Sequence, residues 1–495
     1  MGKIVAKFGG SSLSDAGQFV KVRQIIEMDT RRCYVVPSAP GKRFDGDEKV
    51  TDLLYRTYRL YQEGKDFTPA FSQVRERFVS IATELGLKVD IISQLNKIES
   101  DLLAGASEDY CASRGEYLNG LLLADYLGCH FLDPKDYIFF SEDGAFDSER
   151  TNDVLSAVLA HTDRAVIPGF YGSGADGRIR TFSRGGSDVS GAIVARAAYA
   201  DMYENWTDVS GFLMADPHVV PDARAIRSIT YRELRELSYM GATVLHEDSV
   251  FPVHRAGIPT NIRNTNAPSE RGTMITHGAV EEKNPYVITG IAGRLGFSVI
   301  SVEKAMMNSE HGFGRRVLQA VEENGLSFEH LPTGIDTMCV VLSTAELVPV
   351  RERVVKRIME LTEPDSVTIH DNMGIIATVG RGMIHNPGTA ARLFTALSRA
   401  YDRPGQQRAE HSGGRGQHRL PARHPRHLSR ICGRRGAAVG AGLRKRRRGW
   451  PHEKTRNRLA IPCTPSLVRH LHGVPFPVYR LYYLSQPERL SDRRR

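Results

Sequence analysis

The sequence predicts an α/β protein: an open sheet with helices packed on it, followed by ferredoxin-like β-α-β-β-α-β modules. Three observations carry this prediction. The chain opens on a short apolar strand that runs into a double glycine and then an amphipathic stretch (MGKIVAKFGGSSLSDAGQFVKVRQIIEM). Strands leaving into glycine-rich loops follow at Cys33–Gly41 and at Ala165–Asp188. From about Asn284, short strands alternate with helical stretches in the cadence of a ferredoxin-like module.

Ile4, Val5 and Ala6 form an apolar run of strand formers bounded by glycines, which reads as a buried strand. Gly9 and Gly10 let the backbone approach a ligand closely, and Ser11-Ser12 follow. Phe19, Val22, Ile25 and Ile26 recur at helical spacing, so a helix over Leu13 to Met28 is expected directly after the glycines. Such a helix aims free N–H groups and a positive dipole end at an anion. Lys7, at the end of the strand, stands beside that anion as a fixed cation. The lysine precedes the glycines, so this is not the P-loop pattern. The bland alternative is a plain turn after a strand.

At 495 residues and 41% hydrophobic content the chain has room for two to four domains with sizeable cores. No apolar run approaches the ~20 residues of a membrane span, and no signal-peptide pattern opens the chain. Cys33, Cys111, Cys129, Cys339, Cys432 and Cys463 are scattered without a CxxC pair, which argues against a disulfide framework or a zinc site and fits a reducing cytoplasm. The net charge of +9 is unevenly placed: residues 401–495 hold 23 Lys and Arg against 5 Asp and Glu, and the rest of the chain is mildly acidic. A basic tail of this kind raises a nucleic-acid hypothesis.

Cys33 to Val36 reads as a second strand, and Pro37-Ser38-Ala39-Pro40-Gly41-Lys42-Arg43 as a loop at the same sheet edge as the first, where open α/β sheets bind ligands. Lys42 and Arg43 are either ligand-facing cations or two solvated loop charges. A helix starts near Lys49, with Thr51 or Asp52 as its expected cap. Residues 54–110 read as amphipathic helices without site chemistry. Ser113-Arg114-Gly115-Glu116 then opens an apolar helix, where Glu116 read alone is a dipole-compensating surface residue. After Ala165–Phe170 and a glycine-rich loop, Ser183-Arg184-Gly185-Gly186-Ser187-Asp188 precedes another apolar helix. This is a second anion cradle. Arg184 suits a carboxylate through paired hydrogen bonds, and Asp188 suits an ammonium group or a role in placing magnesium. A structural arginine–aspartate pair near a helix cap is the competing reading.

Taken together, these runs resemble the ordered signatures of the amino-acid kinase family, and of aspartate kinases in particular. K-F-G-G-S-S at the start resembles the first signature. VVPSAPGKR…KVTDLL resembles the second, with Pro37 in place of a third valine. S-R-G-E resembles the S-x-G-E run, and S-R-G-G-S-D the third signature, with Ser183 for its first glycine. Glu204-Asn205-Trp206-Thr207-Asp208-Val209 resembles the W-T-D-V run at the nucleotide site. Leu213, His218 and Thr243 depart from the tyrosine, arginine and lysine that many relatives carry there, so these three contacts are not carried over. Ile258-Pro259 and Arg263-Asn264-Thr265-Asn266 resemble the close of the kinase domain.

The resemblance covers residues 1–400 and implies a three-layer αβα kinase sandwich over 1–278 and ACT regulatory domains after it. It implies transfer of the γ-phosphoryl group of MgATP to the side-chain carboxylate of L-aspartate, giving 4-phospho-L-aspartate, the start of lysine, threonine and methionine synthesis. Lys7, Gly9, Gly10 and Asp188 are then catalytic. Thr51, Glu116, Arg184 and Ser187 bind the substrate, with Glu116 on its ammonium group and Arg184 on its α-carboxylate. Lys7, Gly9, Gly10, Ser11, Thr207 and Asp208 bind nucleotide. No metal is expected beyond the Mg2+ carried by ATP. The first ACT domain (284–370) is expected to bind an amino-acid effector of the lysine type near Met306, Met307, Gly312 and Phe313, which otherwise read as core methionines and a turn glycine. The strand near Val287–Ala292 is available to the second ACT domain. A homodimer is expected if the ACT domains are intact, without nucleic-acid or membrane partners. The alternatives are another amino-acid kinase such as acetylglutamate kinase, which has no use for Glu116 because its substrate amine is blocked, and a non-catalytic effector-binding remnant.

Residues 371–400 begin a second ACT domain, and after Ala400 the composition changes abruptly to Arg, His, Pro and Gly without periodicity. Tyr401 to His411, written in allowed codons and shifted by one base, spells IDQGSSELN, a run typical of the missing ACT strand and turn. The same shift turns HRLPARHPRHLSRICG into a run that reads as a final helix and strand. Residues 401–495 are therefore expected to be a disordered, out-of-frame tail, and Arg444-Lys445-Arg446-Arg447-Arg448 an accident of that frame rather than a nucleic-acid site.

Overall fold

The computed structural model describes residues 2–183, 185–241, 247–277, 287–383, 386–401 and 477–481. The chain divides into two units, Met1–Pro285 and Tyr286–Arg495. The first is ordered around β1 (Ile4–Phe8), whose five residues are all buried. A strand buried on both faces belongs to a parallel sheet with helices on each side. After β1 come a 3-10 turn (Gly10–Leu13), α1 (Ala16–Glu27), β2 (Arg32–Pro37), α2 (Val50–Gln62), α3 (Thr68–Leu85), α4 (Ile91–Leu103), α5 (Glu108–Leu127), β3 (His130–Phe131), α6 (Ser148–Leu159) and β4 (Ala165–Val166). The hairpin β5 (Tyr171–Ser173) and β6 (Ile179–Thr181) leads to α7 (Gly186–Ala197) and β7 (Met202–Thr207). The unit ends with β8 (Ser228–Thr230), α8 (Tyr231–Tyr239), α9 (Phe251–Ala256), β9 (Thr260–Asn264) and β10 (Thr273–Thr276).

The main sheet runs β3-β4-β2-β1-β7-β9-β10-β8, with β1 parallel to both β2 and β7. Strand alternation sends Ala6 and Phe8 into a core with Phe19, Leu54, Val74, Leu95 and Leu118 from α1 to α5. Lys7 points to the opposite face, where α7 packs on β1, β2 and β7. The result is the expected three-layer αβα sandwich.

Three local expectations are corrected. The glycines do not lead straight into an α-helix: Gly10–Leu13 is a 3-10 turn, and α1 starts at Ala16 because Asp15 caps it, accepting from the Gln18 N–H. Neither Thr51 nor Asp52 is the cap of α2. Lys49 occupies that position without a side-chain bond, and the buried Val50, whose N–H donates to the Pro40 carbonyl at 3.2 Å, draws the helix start forward. Finally, the S-R-G-E run does not open its helix. Ser107 caps α5 and Glu108 and Asp109 occupy its first turn, so Glu116 lies in the helix interior.

The second unit contains β11 (Gly290–Glu303), α10 (Phe313–Glu322), β12 (Phe328–His330), β13 (Thr337–Ser343), α11 (Thr344–Leu347), α12 (Arg351–Thr362), β14 (Ser366–Val379), α13 (Thr389–Tyr401) and β15 (Pro477–Leu481), with sheet order β12-β13-β11-β14-β15. The two expected strands YVITGIAG and FSVISVEKAMM are one: β11 continues through Gly296 (φ +94°) by a register shift against β14 rather than a turn. Its second half packs with α10 and α12 around Val302, Val317, Val340 and Ile358. Val287, Ile288 and Ile291 instead form a small core with Met383 and Leu393. The expectation of a tail without regular structure is corrected at one place. Pro477–Leu481 pairs parallel with Gly374–Thr378 and so covers an edge of β14 that no other strand pairs with among the described residues. Residues 402–476 and 482–495, the basic Arg444–Arg448 run among them, lie outside the described residues.

Candidate active site

The site grows from two loops at the C-terminal edge of β1 and β2. The Gly9 N–H donates to the Trp206 carbonyl at 2.9 Å, which ties the first loop to β7. The Gly41 N–H donates to the Gly10 carbonyl at 2.8 Å, which ties it to the second. The loops meet so closely that a Cβ on Gly41 would lie 2.6 Å from the Gly10 carbonyl carbon and 2.7 Å from the Ser11 nitrogen. The 3-10 turn, α2 and α7 all begin here, at Gly9, Lys49 and Gly185, and none has a side-chain cap among the described residues. Helix starts without caps present backbone N–H donors to an anion.

Beneath the first loop, Lys7 Nζ lies 2.5 Å from Asp188 Oδ1. Asp188 stands in the first turn of α7. Asn205, opposite Lys7 in the β1–β7 register, donates from Nδ2 to the same Asp188 oxygen at 2.8 Å and accepts from Lys7 Nζ at 3.4 Å. Lys7 is only 7% exposed. A cation thus lies beneath the first loop, held by one carboxylate and one amide. That arrangement suits the charge developing in phosphoryl transfer.

Glu116 is the second charged feature. The interior of α5 holds it against the second loop, where a Cβ on its neighbour Gly115 would lie 2.8 Å from the Ala39 Cβ. Oε2 has no hydrogen-bond partner among the described residues. Burial pushes the carboxyl up to about 8, against the opposing effect of the Ala39 backbone hydrogen bond. The surface position expected of Glu116 read alone is therefore corrected. Its actual setting, buried and with an open oxygen, is one that an ammonium group would complete. Asn119, one turn on, donates from Nδ2 to the Ser38 carbonyl at 2.6 Å and fixes that loop to α5. Thr51 lies in the first turn of α2, beyond the same loop. Ser187 packs under Gly169, where a Cβ would lie 2.8 Å from its Oγ. Arg184 lies outside the described residues.

Comparisons with known proteins identify the family. The amino acid kinase family profile matches residues 2–264. Aspartokinase 3 of Bacillus subtilis is 39% identical over 411 residues, spanning 80% of this chain and 90% of that protein. The chain belongs to the aspartokinases of the amino acid kinase family. The crystal structure of aspartate kinase from Clostridium acetobutylicum is similar at 48% identity and TM-score 0.73, covering 81% of this chain and 92% of that one. E. coli aspartokinase III, solved with aspartate and ADP, shares the fold at 24% identity and TM-score 0.61, covering 80% and 92%. The reaction class is therefore that of an ATP-dependent aspartate kinase.

In this aspartokinase, Thr207 ends β7 beside the first loop and Asp208 follows it; Thr207 Oγ1 donates to Asp208 Oδ1 at 3.1 Å, and Asp208 is exposed. Of the divergent positions, Leu213 bridges to Ala225, His218 is exposed and bonded to Asp216 at 2.9 Å, and Thr243 lies outside the described residues. In the second unit the four effector candidates separate. Met307 and Phe313 belong to the core, Gly312 (φ +76°) caps α10, and Met306 is 71% exposed.

Sequence reasoning missed a buried ion cluster. Glu204 accepts from Arg32 Nε at 2.7 Å and from Trp206 Nε1 at 2.8 Å, and Arg263 Nη1 lies 3.4 Å away. Both guanidiniums face the Trp206 ring, which stacks on Phe8. The strand period does signal this division: Glu204 and Trp206 share the core face, and Asn205 shares the face of Lys7.

Proposed function

We propose that the protein transfers the γ-phosphoryl group of MgATP to the β-carboxylate of L-aspartate, in the cytoplasm, under feedback control by an amino acid of the lysine type. The observation that carries the residue assignment is Lys7 held beneath the Gly9–Ser11 loop by Asp188. A carboxylate is already an ionised nucleophile, so the reaction needs positioning and charge neutralisation rather than a general base. Lys7 neutralises charge on the moving phosphoryl group, and the N–H groups of Gly10 and Ser11 donate to phosphate oxygens. The Gly9 N–H, spent on the Trp206 carbonyl, anchors the loop rather than serving as the donor its motif position implies. Glu116 takes the substrate ammonium group, Arg184 its α-carboxylate, and Thr51 and Ser187 complete the grip. Asp188 releases Lys7 to the phosphates while keeping its bond from Asn205. Thr207 and Asp208 border the nucleotide. Mg2+ enters with ATP. The open oxygen of Glu116 supports aspartate over an N-acylated substrate, whose blocked amine would leave it unpaired.

A hydroxamate assay with L-aspartate and MgATP, with N-acetylglutamate as the competing acceptor and with and without lysine, tests this. Phosphorylation of aspartate alone is the expected result. Activity on N-acetylglutamate instead, or none from folded protein, overturns it. Lysine inhibition reports the effector class, which E. coli aspartokinase III, solved also with lysine, makes the first to try.

We also infer that a small deletion near codon 400 has shifted the reading frame of the gene, or that the sequence carries an error of that kind. Support comes from the composition break there and from the family-like run in the shifted frame. The matched relatives add to this, covering about four-fifths of this chain but nine-tenths of their own length. DNA reads across that codon from independent isolates test it, and an uninterrupted confirmed frame overturns it. With the frame restored, an ACT-mediated homodimer is expected.

A further inference from the structure

We propose that Arg77, from a helix that carries no recognisable motif, is the positioning residue that clamps the two loops of the phosphate cradle together. The inference rests on reading the Gly9–Ser11 loop as the phosphate site. Arg77 projects from α3 and is 3% exposed. Its Nη1 donates to the Gly41 carbonyl at 2.8 Å and reaches the Ser14 carbonyl at 3.4 Å. Its Nη2 donates to Asp47 Oδ2 at 2.7 Å. One guanidinium therefore touches the chain just after the first loop, the closest-approach glycine of the second, and the acidic residue that precedes α2.

Each contact bears on the cradle. Gly41 is the residue whose backbone abuts Gly10 and Ser11, so fixing its carbonyl fixes the wall against which the donors are set. Asp47 also receives Arg43, whose Nε and Nη2 donate to it at 2.9 and 3.0 Å. That pairing holds the Asp47 carboxyl well below its usual range. Asp15 and Glu76 also act on these guanidiniums, so what Arg77 brings to the cradle is position rather than net positive charge. Arg77 Nε has no hydrogen-bond partner among the described residues. The side chain is oriented by the two loops and the carboxylate rather than by full satisfaction of its own donors. A planar fork with several donors can join these acceptors at once, and a lysine ammonium cannot match its geometry.

The test compares Arg77→Lys and Arg77→Met with the native protein by steady-state kinetics, MgADP calorimetry and thermal melting. Arg77→Lys keeps the charge near Asp47 and serves if Arg77→Met does not fold. Both variants are expected to lose kcat by about ten- to a hundredfold, because misplacement of this kind is felt in the transition state. MgADP binding should weaken in step, with the melting temperature of Arg77→Lys little changed. Adding methylguanidinium to Arg77→Ala should restore part of the lost turnover. Native kcat and MgADP affinity in folded Arg77→Lys overturn the clamp. A loss confined to aspartate affinity, with MgADP binding intact, overturns the phosphate-cradle reading on which the clamp rests.

Discussion

Lys7 and Asp188 form an ion pair across the layer boundary of the sandwich, from the middle of the sheet to the first turn of α7, with Nζ and Oδ1 2.5 Å apart. Asn205 is bonded to both partners, so the pair can part without leaving Asp188 bare. Lys7→Ala is expected to lower kcat by about 10²–10³-fold, the usual effect of removing a donor aimed at developing charge. Melting and circular dichroism should show a folded protein, since the Asn205 amide still serves Asp188. Near-normal turnover in that variant would remove Lys7 from the mechanism.

The Glu116 carboxyl sets a pH window. Its ordinary value of 4.5 rises to about 8 in the fold. Between these values the folded protein keeps the proton and the unfolded chain has lost it. The resulting stabilisation is complete below about pH 4.5 and disappears as pH rises through about 8. An ammonium ligand favours the ionised form, so aspartate binding near neutral pH should release a proton. Calorimetry in buffers of different ionisation enthalpy measures that release. Glu116→Gln should abolish it, raise KM for aspartate, and flatten the decline in melting temperature between about pH 5 and 8. Binding without proton release in the native protein contradicts the assignment.

Gly41→Ala probes loop contact without touching any charge. The new methyl group would sit 2.6 Å from the Gly10 carbonyl carbon, so one loop must move. A displacement of this kind is expected to cost about tenfold or more in kcat, with a smaller proportional change in stability. An active variant with native kinetics would show that the loops tolerate separation.

Glu204 predicts the opposite pattern. Glu204→Gln withdraws the carboxylate from Arg32 and Arg263 and leaves the buried Arg32 guanidinium, with the partly exposed Arg263 one, against Trp206. Breaking such a pair costs about 3–5 kcal/mol. The urea midpoint should fall accordingly, while kcat per folded molecule survives because the cluster faces the core side of the sheet, away from Lys7. A large loss of kcat at unchanged stability would place the cluster in the reaction.

Sequence is most informative where chemistry and local backbone coincide. K-F-G-G-S-S displays a strand, a close-approach loop and a cation within a few residues, and the structure keeps all three. Glu116 is legible as a motif residue but not as a buried one, because the start of its helix depends on the Ser107 cap several residues upstream. Arg77 and Glu204 give no signal as site or core charges, because their partners lie far along the chain: Gly41 and Asp47 for one, Arg32 and Arg263 for the other.

By itself, the sequence determined the α/β class, the order of the motifs, the change of architecture near residue 284 and the break after Ala400. These are properties of period, composition and glycine placement, which act over short stretches of chain. Only the tertiary structure decided that Lys7 meets Asp188 and Asn205, that Glu116 is desolvated with one oxygen open, and that an arginine from α3 joins both loops. Contacts between segments so far apart in sequence arise when the sheet stacks its strands and the helices cover it, and the low dielectric of that interior gives each buried charge its role.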